Sequence, residues 1–364
     1  MSIRIATFNA ENLFRRPVAL GIPNDRIRDD VLDAFRELVE VLDHKEYTDD
    51  DKKEIIKILL AHSVDVNKEI STQTILMNQP KGRAKLLKGQ GTDVQVRDEA
   101  TGRAAWIGWA ELVRGDLSLD AIRNTARVIA EVNADILLTV EVEDRLTLHR
   151  FNEQVLAGQM DGEPYPFNML IDGNDNRGID VGLLSRRSIT SIRSHIFDKK
   201  NPQDEFPIFS RDCPEFEIDV GGRPLWLLGN HFKSKIGGGA EKRKRQGERV
   251  AKLYEAALER SAHVVVAGDL NDTPDSVPLK SLLDAGLRDA MTHDAYEGPD
   301  GTHGKCKAAD KIDYLMFSPE LFGKVTAVEL ETRGIFEFGS PFPSVHGSHD
   351  QASDHAALVA ELDL

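Results

Sequence analysis

The chain has 364 residues, and its 46 Lys and Arg against 61 Asp and Glu give a formal net charge of −15. That balance excludes whole-surface binding of nucleic acid and attraction to anionic membranes, so any phosphate-handling site must reverse the sign locally or use a metal. A hydrophobic fraction of 40% and a charged fraction of 29% exclude disorder as the overall description. Two cysteines, Cys213 and Cys306, are too few for a disulfide framework or a zinc ribbon. No apolar run reaches the roughly 18 residues that span a bilayer. The N-terminus leads straight into a strand pattern without a leader, so a soluble, cytoplasmic protein is expected.

The first strand is expected over 3–8, running into Asn9-Ala10-Glu11-Asn12. A stretch of different character follows. In it Val31, Phe35, Leu38 and Leu42 recur at helical spacing, and Thr48 with Asp51 suits a capping box for a second helix carrying Ile55 and Leu59. Next, 81–90, 93–98 and 104–109 alternate like short strands between Gly-rich turns, with Trp106 and Trp109 read as core. From Leu119 the pattern is regular α/β. Ile122, Ala126 and Ile129 mark a helix and 135–140 a buried strand. Further strands are expected at 166–171, 179–185, 189–197, 214–220, 224–231, 262–268, 312–317, 324–331 and 356–362, with a long helix near 240–260. Many strands with few helices, out of strict βαβ alternation, predict an α/β layered sandwich with helices outside. The expected catalytic domain joins 1–14 to 119–364, and 15–118 is expected to be an inserted helical-plus-hairpin subdomain.

Polar residues stand at the ends of these apolar strands. They are Asn9, Glu141, Asn230-His231, Asp269 with Asn271, Asp313, and Asp354-His355. Any one reads as a turn or cap, but six such ends together point to chemistry. The set suits phosphoester hydrolysis. Asn9, Glu141 and Asp354 offer oxygens to a hard cation such as Mg²⁺, with Mn²⁺ as substitute. Asp269, held by Asn271, suits orientation or deprotonation of water, and His231 and His355 suit hydrogen bonding to phosphoryl oxygens. Zinc is disfavoured, because the clustered ligands are oxygens and no Cys/His pair has zinc spacing. Glu11 is a reserve candidate, and His303, His346 and His349 carry no assignment.

These segments carry a resemblance. Thr7-Phe8-Asn9-Ala10-Glu11-Asn12, Glu141-Val142-Glu143, Gly229-Asn230-His231-Phe232-Lys233-Ser234-Lys235, Gly268-Asp269-Leu270-Asn271, Ile312-Asp313-Tyr314 and Ser353-Asp354-His355 resemble the endonuclease/exonuclease/phosphatase (DNase I-like) superfamily, in the family's order. The motif style is most similar to bacterial extracellular-nuclease-like members. The resemblance implies a four-layer α/β sandwich with two mainly antiparallel sheets. It implies metal-site roles for Asn9, Glu141 and Asp354, and water positioning by Asp269 and Asn271. It makes His231 and His355 the two catalytic histidines, with Asp313 pairing with one of them or with metal-bound water. Arg177 falls where such nucleases contact phosphate, and Asn230, Lys233 and Lys235 are expected to meet substrate. One departure is Val140, where the family usually has Gln before the metal Glu.

Charge distribution refines the partner. Residues 29–69 hold thirteen acids against six bases, whereas 233–249 hold seven bases against Glu241 and Glu248. This basic run reads as a phosphate-backbone wall beside His231. The shorter strip Lys81, Arg83, Lys85 and Lys88 reads as a solvated strand. The expected reaction is divalent-metal-dependent hydrolysis of nucleic acid, by an endonuclease or exonuclease. The alternative, which the acidity favours, is a small phosphoester such as an inositol phosphate, nucleotide or phospholipid head group.

Overall fold

Most strands of the larger unit carry apolar side chains on both faces, which is what a sheet buried on both sides requires. Ile3 and Ile5 point one way from the first strand, while Ala6 and Phe8 point the other. The computed structural model describes residues 1–13, 15–22, 25–62, 74–79, 84–89, 91–116, 118–175, 177–235 and 238–364. Two units emerge, Met1–Phe14 with Leu117–Leu364, and Arg15–Asp116.

The larger unit holds two six-stranded sheets. The first runs Val325–Glu331, Ala357–Asp363, Ser2–Leu13, Ile136–Val142, Asp180–Ser185, Phe167–Leu170. The second runs Ile189–Arg193, Glu215–Val220, Arg223–His231, Val264–Asp269, Asp313–Phe317, Arg288–Asp289. Each is antiparallel except for one parallel pair near its middle, Ser2–Leu13 with Ile136–Val142 and Arg223–His231 with Val264–Asp269. The inward faces meet in a core containing Ile5, Leu138, Leu183, Leu227, Val265 and Leu315. Outside the first sheet, Ile122, Ala126 and Ile129 of helix Leu119–Val132 cover Phe8 and Leu137. Outside the second, Val250, Leu253 and Tyr254 of helix Ala240–Leu258 cover Leu228 and Val266. This is the four-layer α/β sandwich. Gly229 lets the sheets approach, since a Cβ there would lie 2.8 Å from Leu138 Cδ1 and 2.9 Å from Val181 Cγ1.

The smaller unit has its own core, in which Val31, Phe35, Leu38 and Leu42 of helix Asp25–Leu42 meet Ile55 and Leu59 of helix Asp49–His62. The capping box forms as the sequence predicts. Thr48 N–H donates to Asp51 Oδ2 at 2.7 Å, and Asp51 N–H donates to Thr48 Oγ1 at 3.1 Å. The three expected strands shrink to Leu87–Lys88, Gln95–Val96 and a 3₁₀ turn at Arg103–Ala105. Ile75–Asn78, which sequence reasoning missed, pairs with Trp109–Leu112. That pairing corrects one assignment. Ala110 and Leu112 take the inward face, so Trp106 is core but Trp109 is 59% exposed. Lys81 and Arg83 of the second basic strip lie outside the described residues.

In the larger unit the first strand runs on to Leu13, and the expected 189–197 strand stops at Arg193. Helices Arg145–Phe151 and Val277–Asp284 were not expected. Among the described residues no helix is long and apolar enough to cross a membrane.

Candidate active site

The two parallel pairs end at one edge of the sandwich, and their inward-facing positions carry the polar residues. Register places His231 beside Asp269, and Asp269 opposite Asp313. Gly268 makes this approach possible. Its φ is +124°, and a Cβ there would stand 1.9 Å from Asn230 O. Alternation puts His231, Asp269, Asp313 and Asn9 on the same inward faces as Leu227, Val265, Leu315 and Ile5.

Glu141 breaks that rule. Simple alternation would send it outward, because Val140 belongs to the inward core. Its φ of 62° and a register shift against Asp180–Val181 mark a bulge, and its carboxylate lies 3.7 Å from His231 Nε2. Val140, where the family has Gln, is apolar core. A second irregularity follows Asn9 on the neighbouring strand. There Glu11 has φ 49°, its N–H donates to Asn9 Oδ1 at 3.1 Å, and its carboxylate accepts from Asp354 N–H at 3.1 Å and Gln351 Nε2 at 3.2 Å. The reserve candidate therefore ties Asn9 to the Asp354 loop.

At the centre, Asp269 Oδ2 accepts from Asn271 Nδ2 at 3.0 Å and from Asn9 Nδ2 at 3.3 Å, and it lies 3.7 Å from His231 Nε2. Its other oxygen accepts from Asn271 N–H at 2.8 Å. Burial, with the facing Asp313, pushes the Asp269 carboxyl up to about 7. His355 Nδ1 bonds Asp313 Oδ2 at 2.8 Å, and Thr302 donates its hydroxyl to the same oxygen at 2.7 Å. Burial opposes protonation of His355, yet Asp313, Asp354 and Asp269 outweigh it and hold the imidazole well above its ordinary range. His231 goes the other way. Burial and the Arg211 and Arg177 charges keep it neutral. Ser353 fixes the last loop by donating to Asn9 O at 2.7 Å and accepting His355 N–H at 2.9 Å.

Not every expected residue faces this cluster. Asn230, one step before His231, points to the opposite face of its strand, is fully buried, and donates to Leu228 O at 3.0 Å. Its expected contact with substrate is corrected accordingly. Arg177 is clamped by Asp175, with Nε to Oδ1 and Nη2 to Oδ2 both at 2.9 Å, and Glu141 stabilises its charge. Asp175 also pairs with the wholly buried Arg211, 3.0 Å away, and burial notwithstanding the two guanidiniums hold its carboxyl well below the usual range. Arg211, which donates to Phe232 O at 2.9 Å, was missed because nothing in its sequence surroundings marks a buried arginine.

The basic run divides. Arg243 is a structural residue, 2.9 Å from Asp272 and donating to the carbonyls of Lys233, Ser234 and Gly238. Arg249 pairs with Asp198 at 2.7 Å, and Lys235 lies 3.5 Å from Asp272. Lys242 and Lys244 remain half-buried and Arg245 exposed.

A divalent cation fits this donor set. Asp269, Asp313 and Glu141 bring carboxylate oxygens together beside the Asn9 amide, the oxygen-rich donor set that a hard divalent ion takes. A family model described as the Endonuclease/Exonuclease/phosphatase family matches residues 113–355. Similar solved structures include truncated Caenorhabditis elegans TDP2, with TM-score 0.46 and 18% identity over 67% of this chain and 90% of that one. A Bacteroides thetaiotaomicron mannosyl-6-phosphatase gives TM-score 0.49 and 15% identity over 67% and 91%. No curated protein sequence matches the chain.

Proposed function

Because this chain belongs to the endonuclease/exonuclease/phosphatase family, whose members are divalent-metal-dependent phosphoester hydrolases, we propose that it hydrolyses the phosphodiester bonds of nucleic acid with Mg²⁺. Asn9, Glu141 and Asp354 would hold the ion, which supplies charge neutralisation on the phosphate and on the leaving oxygen. Asp269, fixed by both nitrogens of Asn271, orients the attacking water and takes its proton; a carboxyl at about 7 suits that task near neutral pH. His355 presents Nε2 to a phosphoryl oxygen while Asp313 holds its Nδ1–H and supports the imidazolium. Neutral His231 donates a second hydrogen bond from between Glu141 and Asp269. Arg177, oriented by Asp175, meets a non-bridging oxygen.

The observation that carries the preference for nucleic acid is the basic run beyond His231, with Lys233 and Lys235 directly after the strand and Lys242, Lys244 and Arg245 on the helix Ala240–Leu258 that follows. The net charge of −15 supports the competing reading, a small phosphoester. Rates on plasmid DNA, single-stranded DNA, RNA and small phosphomono- and diesters with Mg²⁺ separate the two. Cleavage of a polynucleotide that weakens steeply with salt is expected. Turnover confined to small esters and indifferent to salt would refute the preference.

A further inference from the structure

Three donors converge at the solvent side of His355. His303 Nε2 lies 3.4 Å from Asp354 Oδ2, His355 Nε2 lies 3.7 Å from Asp354 Oδ1, and one donor atom from each residue falls within 4.8 Å of the others. We propose that His303, Asp354 and His355 form a second cation site, selective for a borderline-soft divalent ion of the Zn²⁺ class, which competes with the oxygen-donor set of Asn9 and Glu141 for the shared Asp354.

Geometry supports the assignment first. Two ligands of a tetrahedral ion bound at about 2.0–2.1 Å stand roughly 3.3 Å apart, so side-chain adjustments of a few tenths of an ångström to about 1.5 Å close the site. The frame is also rigid. His303 and His355 oppose each other as an antiparallel bridge, Gly304 N–H donates to Asp354 O at 2.7 Å, and Ala356 N–H donates to Thr302 O at 2.7 Å.

Tautomer is the second argument. The Asp313 bond at 2.8 Å occupies His355 Nδ1, and Thr302 fixes Asp313 in turn. This carboxylate–imidazole arrangement is the one that orients metal-ligating histidines and leaves Nε2 as the donor. Selectivity follows from donor type, because two imidazoles and one carboxylate favour zinc over magnesium, whereas carboxylate and amide oxygens favour magnesium. Access is open, since the side chains of His303 and Asp354 are each 38% exposed. A fourth position is left for water or a phosphate oxygen. No spacing motif announces the site, because its ligands come from two loops about fifty residues apart.

One consequence rests on the function proposed above. An ion on His355 Nε2 displaces the proton this residue needs for phosphate, so Zn²⁺ inhibits hydrolysis even in excess Mg²⁺. The site itself is tested without activity. Chelator-treated full-length protein in excess Mg²⁺ is titrated with Zn²⁺ against a chromophoric chelator, and with Co²⁺ by visible absorption. Wild type is expected to bind one Zn²⁺ and to give the intense Co²⁺ bands of a four-coordinate nitrogen-containing site. His303→Gln should weaken Zn²⁺ binding at least tenfold and lose those bands, while His303→Asp, which puts a carboxylate donor in place of the imidazole, regains part of the affinity. Thermal melts of both variants control for folding. Equal Zn²⁺ affinity in wild type and His303→Gln, or complete displacement of Zn²⁺ by millimolar Mg²⁺, would overturn the site. A wild type without nuclease activity leaves this binding test intact, so the two failures are told apart.

Discussion

Asp313→Asn isolates the electrostatic work of one carboxylate. The substitution keeps the side-chain shape and an oxygen to accept the Thr302 hydroxyl, 2.7 Å away, but removes the charge facing His355 Nδ1 at 2.8 Å. A hydrogen bond to a charged group contributes about 1.5–3 kcal/mol, which corresponds to a rate loss of roughly 10- to 150-fold if it acts in the transition state. The loss should fall on kcat, with KM within about threefold, because His355 is assigned to developing charge. The pH profile should move too. Asp313 is the largest of the charges that hold the imidazolium above its ordinary range against burial, so the alkaline limb of the variant should begin at lower pH. Asn relieves a repulsion on buried Asp269 but leaves the buried imidazolium without its paired charge, so the melt separates a lost rate from a lost fold. Initial rates on a chromogenic phosphodiester across pH 5–10, with a parallel melt, measure all of this. A variant within twofold of wild type and with an unshifted profile would refute the role given to the Asp313–His355 pair.

Two further expectations concern stability. Arg243→Ala breaks a buried ion pair with Asp272 and three bonds to carbonyls, and should cost about 3 kcal/mol in urea unfolding; Lys244→Ala should stay within about 0.5 kcal/mol while weakening polynucleotide binding. Asp180, raised by burial to about 7 against an ordinary 3.8, binds its proton more tightly when folded. Its stabilisation is complete below about pH 4 and is lost as pH rises towards 7. Asp180→Asn should therefore gain on wild type between pH 5 and pH 8, and an equal difference at both would contradict the assignment.

Strand ends were legible in the sequence because a polar residue closing an apolar run is visible in one dimension. His231, Asp269, Asp313 and His355 were reached in that way, and the layered sandwich was reached from many strands with few helices out of strict βαβ order. What failed depended on facing. Asn230 and His231 are neighbours in sequence but occupy opposite faces of one strand, and a two-residue polar end does not show which member points inward. Glu141 turns inward only through a bulge, which no periodicity reveals. Arg243 and Arg249 look like any other member of a basic run until Asp272 and Asp198 arrive from distant segments. His303 likewise gains meaning only when its loop meets Asp354.

In the proposed reaction Asp269 takes the proton of the attacking water, at a cost in stability. Burial and Asp313 hold its carboxyl up to about 7, so its charge destabilises the fold at higher pH, and Asn at this position should relieve that strain. Hydrolysis in Mg²⁺ and melting in chelator, both at pH 8, are to be measured on Asp269→Asn and wild type together. The rate of Asp269→Asn is expected to be at least about a thousandfold lower, with a melting temperature equal or higher. A variant that retains activity within tenfold, or one that loses activity together with its fold, would contradict it.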